Sequence, residues 1–344
     1  MASYWWAYLP GHWGTMRPEY VSPRDGLKRV VQHVLGHLSI YRLQKRPLLI
    51  FTTRRSGSTL LLHMLYTQPH TDYVNEPLNL WLLHPHYTLL PHPPLGKFVT
   101  LSDEDAARLR MYFSRVLGGQ WRVRNQWAFW RPYYSLVVHR LVVKMLNANA
   151  LLEWFVREFN VDVIYLIRHP VPVAASIIRQ QWEGIAEAYL QNQQFCDVHL
   201  GSELCAFARR VWHTGSPIQR FVLEWALENI IPLRLRDSLA LDVVTYEELV
   251  TKPREVAQWL SERYDFPDPE RMYQRILTPS PTTATQSSHL IRQEGPATLV
   301  QRSLAQIPRS ELALAQEVLD AFGIDIYRAD EPWPLPAYSI FSSE

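Results

Sequence analysis

The 344-residue sequence predicts an α/β protein with a parallel central sheet. Three observations predict it. Four short apolar runs, at 48–51, 141–144, 161–167 and 241–245, are too brief for helices and read as buried strands. Segments with apolar residues at helical spacing separate them. Two of the strand-to-helix turns carry arginine, and a parallel sheet places both turns on the one edge where its strands end and ligands bind.

Residues 1–24, rich in aromatics, Pro and Gly, read as an irregular arm. Over 25–43, Val30, Val31, Val34, Leu35 and Leu38 fall on one face of an amphipathic helix. The first strand follows Pro47, and beyond Arg54-Arg55-Ser56-Gly57-Ser58-Thr59 the residues Leu60, Leu61, Met64 and Leu65 share a helical face. Pro85, Pro91, Pro93 and Pro94 make 81–100 mostly loop. Helices are expected over 103–118 and, after the second strand, through Leu151, Leu152, Phe155 and Phe159. The third strand is the clearest; it ends in Arg168-His169-Pro170, and a helix is expected from there to about Phe195. The stretch 202–230 reads as helical with a break near Gly215, where Ser216 and Pro217 supply the N-cap and first residue of its second half. Pro253 opens another helix after the fourth strand, and the last runs from Ser310 to a stop at Gly323. Between them the polar, Pro/Ser/Thr-rich 278–296 reads as a loop or lid.

With 47% hydrophobic residues the chain can bury a sizeable core, as one large α/β domain or two average ones. Thirty-five basic against thirty-three acidic residues leave a net charge of +2, which argues against nucleic-acid or membrane-surface binding driven by bulk charge. A local anion site is compatible with that balance. Cys196 and Cys205 make neither a disulfide framework nor a metal site and read as small buried hydrophobes. No apolar run is long enough to span a bilayer, and Met1-Ala2-Ser3-Tyr4-Trp5-Trp6 has no basic n-region. The expectation is a soluble, cytoplasmic chain.

The first arginine turn has the design of a phosphate cradle. A strand leading through Ser-Gly-Ser-Thr into a helix presents backbone N–H groups and the positive end of the helix dipole to an anion. Gly57 permits close approach, Ser58 and Thr59 add hydroxyl donors, and Arg54 and Arg55 add charge. It is not a Walker A loop: the GxxxxGK[ST] pattern is absent, and Arg55 precedes the glycine where an NTPase has Lys after it. In the second turn Arg168 ends a hydrophobic strand and Ser176 lies in the following helix, where a P-loop NTPase carries a metal-holding Asp. Taken singly, each turn also fits an ordinary capped or salt-bridged strand end. Together they suit a ligand with phosphates at both ends, used without a metal.

Phe51-Thr52-Thr53-Arg54-Arg55-Ser56-Gly57-Ser58-Thr59-Leu60-Leu61 resembles the 5′-phosphosulfate loop of the sulfotransferases that use 3′-phosphoadenylyl sulfate (PAPS), especially their carbohydrate and bacterial branches. Ile164-Tyr165-Leu166-Ile167-Arg168-His169-Pro170, with Ala175-Ser176, resembles the same family's 3′-phosphate motif, and Thr245-Tyr246-Glu247-Glu248-Leu249-Val250 before Pro253 resembles a third, structural segment. The resemblance runs in patches over 47–325. It implies a P-loop-like three-layer fold in a single domain at 47–325, with 78–140 an acceptor-side insertion, 1–46 an arm and helix, and 326–344 a tail. It implies that Arg54, Arg55, Ser56, Gly57, Ser58 and Thr59 hold the 5′-phosphosulfate, Arg168 and Ser176 hold the 3′-phosphate, and the product 3′,5′-bisphosphate (PAP) leaves without help from a metal. His169 departs from the family, where Asp is common, Arg54 is an added cation, and 1–46 and 78–140 match nothing in it.

Asn75-Glu76-Pro77-Leu78 resembles the family's Glu-Pro step, which implies Glu76 as general base, with Arg55 stabilising charge on the leaving oxygen. A capping or salt-bridging Glu is the plainer alternative. The rival base is a histidine; His63 reads as a packing residue, and His84, His86 and His92 as loop residues short of a metal site. Lys144 ends a strand where it can meet donor or acceptor, or simply face solvent. In 121–131, Trp121, Trp127, Phe129 and Trp130 alternate with arginines and read as an amphipathic segment or a sugar-gripping one. Trp5, Trp6 and Trp13 read as packing, and Arg292 can reach the nucleotide from its loop. The acceptor, a carbohydrate or other small molecule, is not legible, nor is the oligomeric state. A small-molecule kinase and a non-catalytic PAP-binding protein are the competing readings.

Overall fold

The computed structural model describes residues 39–80, 84–123, 133–278 and 293–341. These form strands β1 (Ile40–Tyr41), β2 (Leu48–Thr52), β3 (Thr71–Asn75), β4 (Val137–Val138), β5 (Arg140–Met145), β6 (Asp162–Ile167) and β7 (Asp242–Thr245). Five of them make a parallel sheet in the order β3-β5-β2-β6-β7, while β1 and β4 form a separate short parallel pair. The longer helices are α1 (Ser58–Tyr66), α2 (Asp103–Leu117), α3 (Leu152–Glu158), α4 (Pro170–Arg179), α5 (Gly201–Thr214), α6 (Pro217–Leu235), α7 (Tyr246–Thr251), α8 (Pro253–Tyr264), α9 (Pro269–Ile276) and α10 (Arg309–Phe322).

β2 is central, and its alternation explains the layers. Leu48 and Ile50 pack on one face with Leu61 and Leu65 of α1, Leu260 of α8 and Met272 of α9. Leu49 and Phe51 pack on the other with Phe113 of α2, Phe155 of α3, Ile177 of α4, Trp225 of α6 and Val318 of α10. A strand covered on both sides reads as a near-continuous apolar run, and all five β2 residues are buried, the terminal Thr52 included. The chain leaves β2 for β3 and β5 on one side and later returns to β6 and β7 on the other. Connections therefore diverge at the carboxyl end of β2, the place where such sheets form a ligand crevice.

Several expectations need correction. Residues 39–43 are not helical: Ile40 and Tyr41 pair with Val137 and Val138, and the rest of the expected 25–43 helix lies outside the described residues. The sequence reading missed β3, whose run Thr-Asp-Tyr-Val-Asn has two apolar members. Its burial is supplied by neighbours, and Asp72 binds both the Tyr41 hydroxyl and the N–H of Tyr73 (2.8 Å). The helix after β6 stops at Arg179 rather than near Phe195, because Gln181 turns left-handed (φ 54°) and Gly184 lies against Trp212. α6 continues past 230 to Leu235, through Pro232. α9 was also missed, although Asp268 caps it by accepting from the N–H of Arg271 (3.0 Å) and Pro269 opens it. Beyond α10, Ile326, Tyr327 and Ala329 are buried in the main core.

Candidate functional site

The turn from β2 into α1 crosses the centre of that crevice. Arg55 (φ 64°) and Gly57 (φ 86°) both adopt left-handed backbone, which bends the chain sharply between strand and helix. A Cβ on Gly57 would lie 2.3 Å from Cδ2 of Tyr246, so only glycine lets the loop cross that ring. Thr53 and Ser56 share a hydroxyl hydrogen bond of 2.7 Å and are both buried. The Ser56 side chain thus braces the loop from within and leaves its backbone N–H for a ligand. α1 begins at Ser58, and the first N–H groups of a helix have no intrahelical acceptor.

The second arginine turn meets the first directly. Nε of Arg55 donates to Oγ of Ser176 at 2.9 Å, and a guanidinium N–H of Arg168 donates to the backbone carbonyl of Arg55 at 3.2 Å. Arg179, one helical turn beyond Ser176, adds a third cation. Among the described residues no carboxylate is ion-paired with Arg55, Arg168 or Arg179. Burial lowers the pKa of Arg55 below the usual arginine value, and repulsion from Arg168 and Arg179 lowers it further. Cations held together around one turn, with Glu247 acting on Arg168 at a distance but not ion-paired to it, suit an anion.

On the opposite side of β2, Glu76 follows β3 and Lys144 lies near the end of β5. Nζ of Lys144 is 2.8 Å from Oε1 of Glu76 and 3.2 Å from Oγ1 of Thr59, so one buried ammonium joins the carboxylate to the first turn of α1. Asn79 donates to Oε2 of Glu76 at 2.7 Å. The Glu76 backbone is left-handed (φ 57°) and its N–H donates to the Lys144 carbonyl at 3.0 Å. A strained, non-glycine conformation held by three contacts fixes the carboxylate in one place.

Behind these groups lies a buried scaffold. The Tyr246 ring supports Gly57 from below and carries the Arg168 guanidinium 4.2 Å from its centroid. Trp225 donates to the carbonyl of Arg168 at 3.0 Å. Glu247 accepts from the N–H of His169 (3.1 Å) and from the Tyr327 hydroxyl (2.6 Å). Arg54 is tied into this scaffold, pairing with buried Glu224 and donating to the carbonyl of Glu183.

Of the sequence candidates, Arg55, Gly57, Ser58, Thr59, Arg168 and Ser176 therefore lie around one turn, with Glu76 linked to it through Lys144. Ser56 and Arg54 belong to its supports. His63 is engaged elsewhere, with Arg275 (3.2 Å) and Tyr73 (3.5 Å). His86 stacks on Trp121 at 4.0 Å, and among the described residues no group of His, Cys, Asp and Glu could hold a metal ion. Trp5, Trp6, Trp13, Arg292, most of the 278–296 lid and 124–131 of the aromatic segment lie outside the described residues. Sequence reasoning missed Arg179, Asn79 and Trp182. Arg179 was readable as the residue one turn beyond Ser176 and Asn79 as the residue three beyond Glu76; Trp182, which lies beside the Arg54 and Arg55 guanidiniums, depends on tertiary contacts.

No family model and no curated protein matches the sequence. Among solved structures the chain is similar to the crystal structure of sulfotransferase STF9 from Mycobacterium avium, at 13% identity and a TM-score of 0.36, over 87% of this chain and 81% of that one. At that distance only the residues of the site itself speak to function. No helix of the described residues is long and apolar enough to cross a membrane.

Proposed function

We propose that the protein is a sulfotransferase that moves a sulfuryl group from PAPS to a hydroxyl of a carbohydrate or other small molecule. The observation that carries this reading is the arginine cluster around the β2–α1 turn, with no carboxylate ion-paired to it among the described residues and Lys144 joining the turn to Glu76. The N–H groups at 56–59 and Arg55 hold the 5′-phosphosulfate. Arg168 and Ser176 hold the 3′-phosphate, and Arg179 adds charge at the rim. Arg54 contributes by fixing the loop rather than by touching the donor.

In the reaction, the acceptor oxygen attacks sulfur in line. A new oxygen–sulfur bond forms, the bond from sulfur to the 5′-phosphate oxygen breaks, and PAP departs with that electron pair. Glu76 takes the acceptor proton. Arg55 and Lys144 flank the place where negative charge grows on the leaving oxygen, a stabilisation that needs no reorganisation during the step. A sulfuryl group carries less charge than a phosphoryl group, which lessens the need for a metal.

PAP release from PAPS in the presence of a glycoside panel, together with calorimetric PAP binding, tests the assignment. Glu76→Gln is expected to cut turnover by about 10²–10⁴-fold and leave PAP affinity within about twofold. Arg168→Ala is expected to weaken PAP by at least about tenfold, the loss of one charge-assisted contact. Normal turnover by Glu76→Gln would remove Glu76 as the base.

A further inference from the structure

Trp182 is 42% exposed, yet little about its setting is loose. It follows α4 on a turn made by Gln181, and the backbone beyond it is pinned. The carbonyl of Glu183 accepts from both terminal nitrogens of Arg54 (3.2 and 3.3 Å), and the N–H of Ile185 donates to Glu224, which also pairs with Arg54. A Cβ on Gly184 would lie 2.1 Å from Trp212 and 3.1 Å from Glu224, so glycine is what allows this segment to seat. The guanidinium carbons of Arg55 and Arg54 lie 5.6 and 5.8 Å from the indole centroid. The fold thus fixes the segment beside the phosphate loop and leaves part of the indole in solvent. A large exposed aromatic in that position is a surface for a ring to stack on.

We propose that Trp182 is the acceptor platform and that it selects a neutral sugar ring. This rests on the sulfuryl-transfer reading above. In that reading Arg55 reaches the bond that breaks, so a ring stacked on the neighbouring indole is within reach of the transferred group. Charge decides the class. A 3′-phosphate and a 5′-phosphosulfate together bring about four negative charges, and Arg55, Arg168 and Arg179 face them. Lys144 is engaged with Glu76, and Arg54 is neutralised by Glu224. The cations around the indole are thus committed, and Glu183, the next residue in the chain, is acidic and exposed, which disfavours an acidic sugar. Gln180, Gln181 and Glu183 are all exposed around the indole. These polar neighbours suit a ring that stacks on one face and offers hydroxyls at its edge, and they give a flat apolar acceptor no enclosure.

The test uses the full chain with PAPS and, as acceptors, methyl glucoside, maltose, a methyl glucuronide and 4-nitrophenol. Wild type is expected to sulfate a neutral glycoside in preference to the other two. Trp182→Ala should raise the KM for that glycoside about tenfold or more, with kcat changed less and PAP affinity unchanged. Trp182→Phe, which keeps an aromatic face and checks that the fold tolerates change here, should stay within about threefold. A fall in PAP affinity in Trp182→Ala would place the indole on the donor's adenine and overturn the inference. So would an unchanged KM, or a preference for the glucuronide or the phenol. Failure of wild type to bind PAP at all is a distinct result; it would overturn the donor assignment and this inference with it.

Discussion

His169 caps α4 with its own imidazole: Nδ1 accepts from the N–H of Val171 (3.2 Å), and Nε2 donates to the carbonyl of Arg328 (3.0 Å). Those two bonds require the neutral ring, and burial lowers its pKa from 6.5 to about 4. A neutral cap next to Arg168 does the hydrogen-bonding work of the Asp common at this point in the sulfotransferases that the motif resembles. The linkage is signed by that depression. Between pH 6.5 and 4 the unfolded chain binds a proton that the folded chain does not, so stability is full above about 6.5 and falls as pH drops. The loss is on the order of 3 kcal/mol by pH 4. His169→Asn, which keeps an acceptor but cannot titrate, should flatten that part of the urea-unfolding profile between pH 7 and 4.5. An unchanged slope would show that other groups set it. At this scale the sequence reveals residue types but not their aim. Arg55 and Ser176 were legible as motif members, whereas the inward turn of Ser56 and the pairing of Arg54 depend on Thr53 and on Glu224, the latter 170 positions away.

Among the elements, those whose stop and start signals are local were legible. Ser216 and Pro217 mark the start of α6, and Ser216 Oγ does accept from the N–H of Gln219 at 3.2 Å while its hydroxyl bonds to Glu311 of α10. Ser216→Ala removes both the cap and that tie, and should lower the unfolding free energy by about 1–2 kcal/mol in urea titrations, with PAP affinity unchanged. No loss of stability would mean that the cap is not needed once α6 is packed. Elements whose signals come from partners were not legible. β3 is a strand because β5 pairs with it and Asp72 satisfies its edge, and α4 ends where Gln181 turns left-handed and Gly184 meets α5 and α6. Both misses bear on the proposed site: β3 leads into Glu76, and the early end of α4 sets Trp182 beside the Arg54 and Arg55 guanidiniums.

Over the whole molecule, the sheet order places three turns at one edge. The β2 turn lies at the centre, Glu76 and Lys144 come from the β3–β5 side, and Arg168 with Ser176 comes from the β6 side. This explains how a chain of net charge +2 can concentrate cations in one crevice. The α/β class and the parallel sheet were readable from the strand–helix alternation. The joining of the two sides through Lys144 was not, because a strand-end lysine looks alike whether it faces solvent or a carboxylate. This crevice is expected to bind a nucleotide carrying phosphates at both ends, without a metal. Calorimetric titration of the purified protein with PAP in EDTA, with ATP as control, measures that directly. Tight PAP binding in EDTA and weak ATP binding are the predicted result; no PAP binding, or a preference for ATP that requires Mg²⁺, would contradict it.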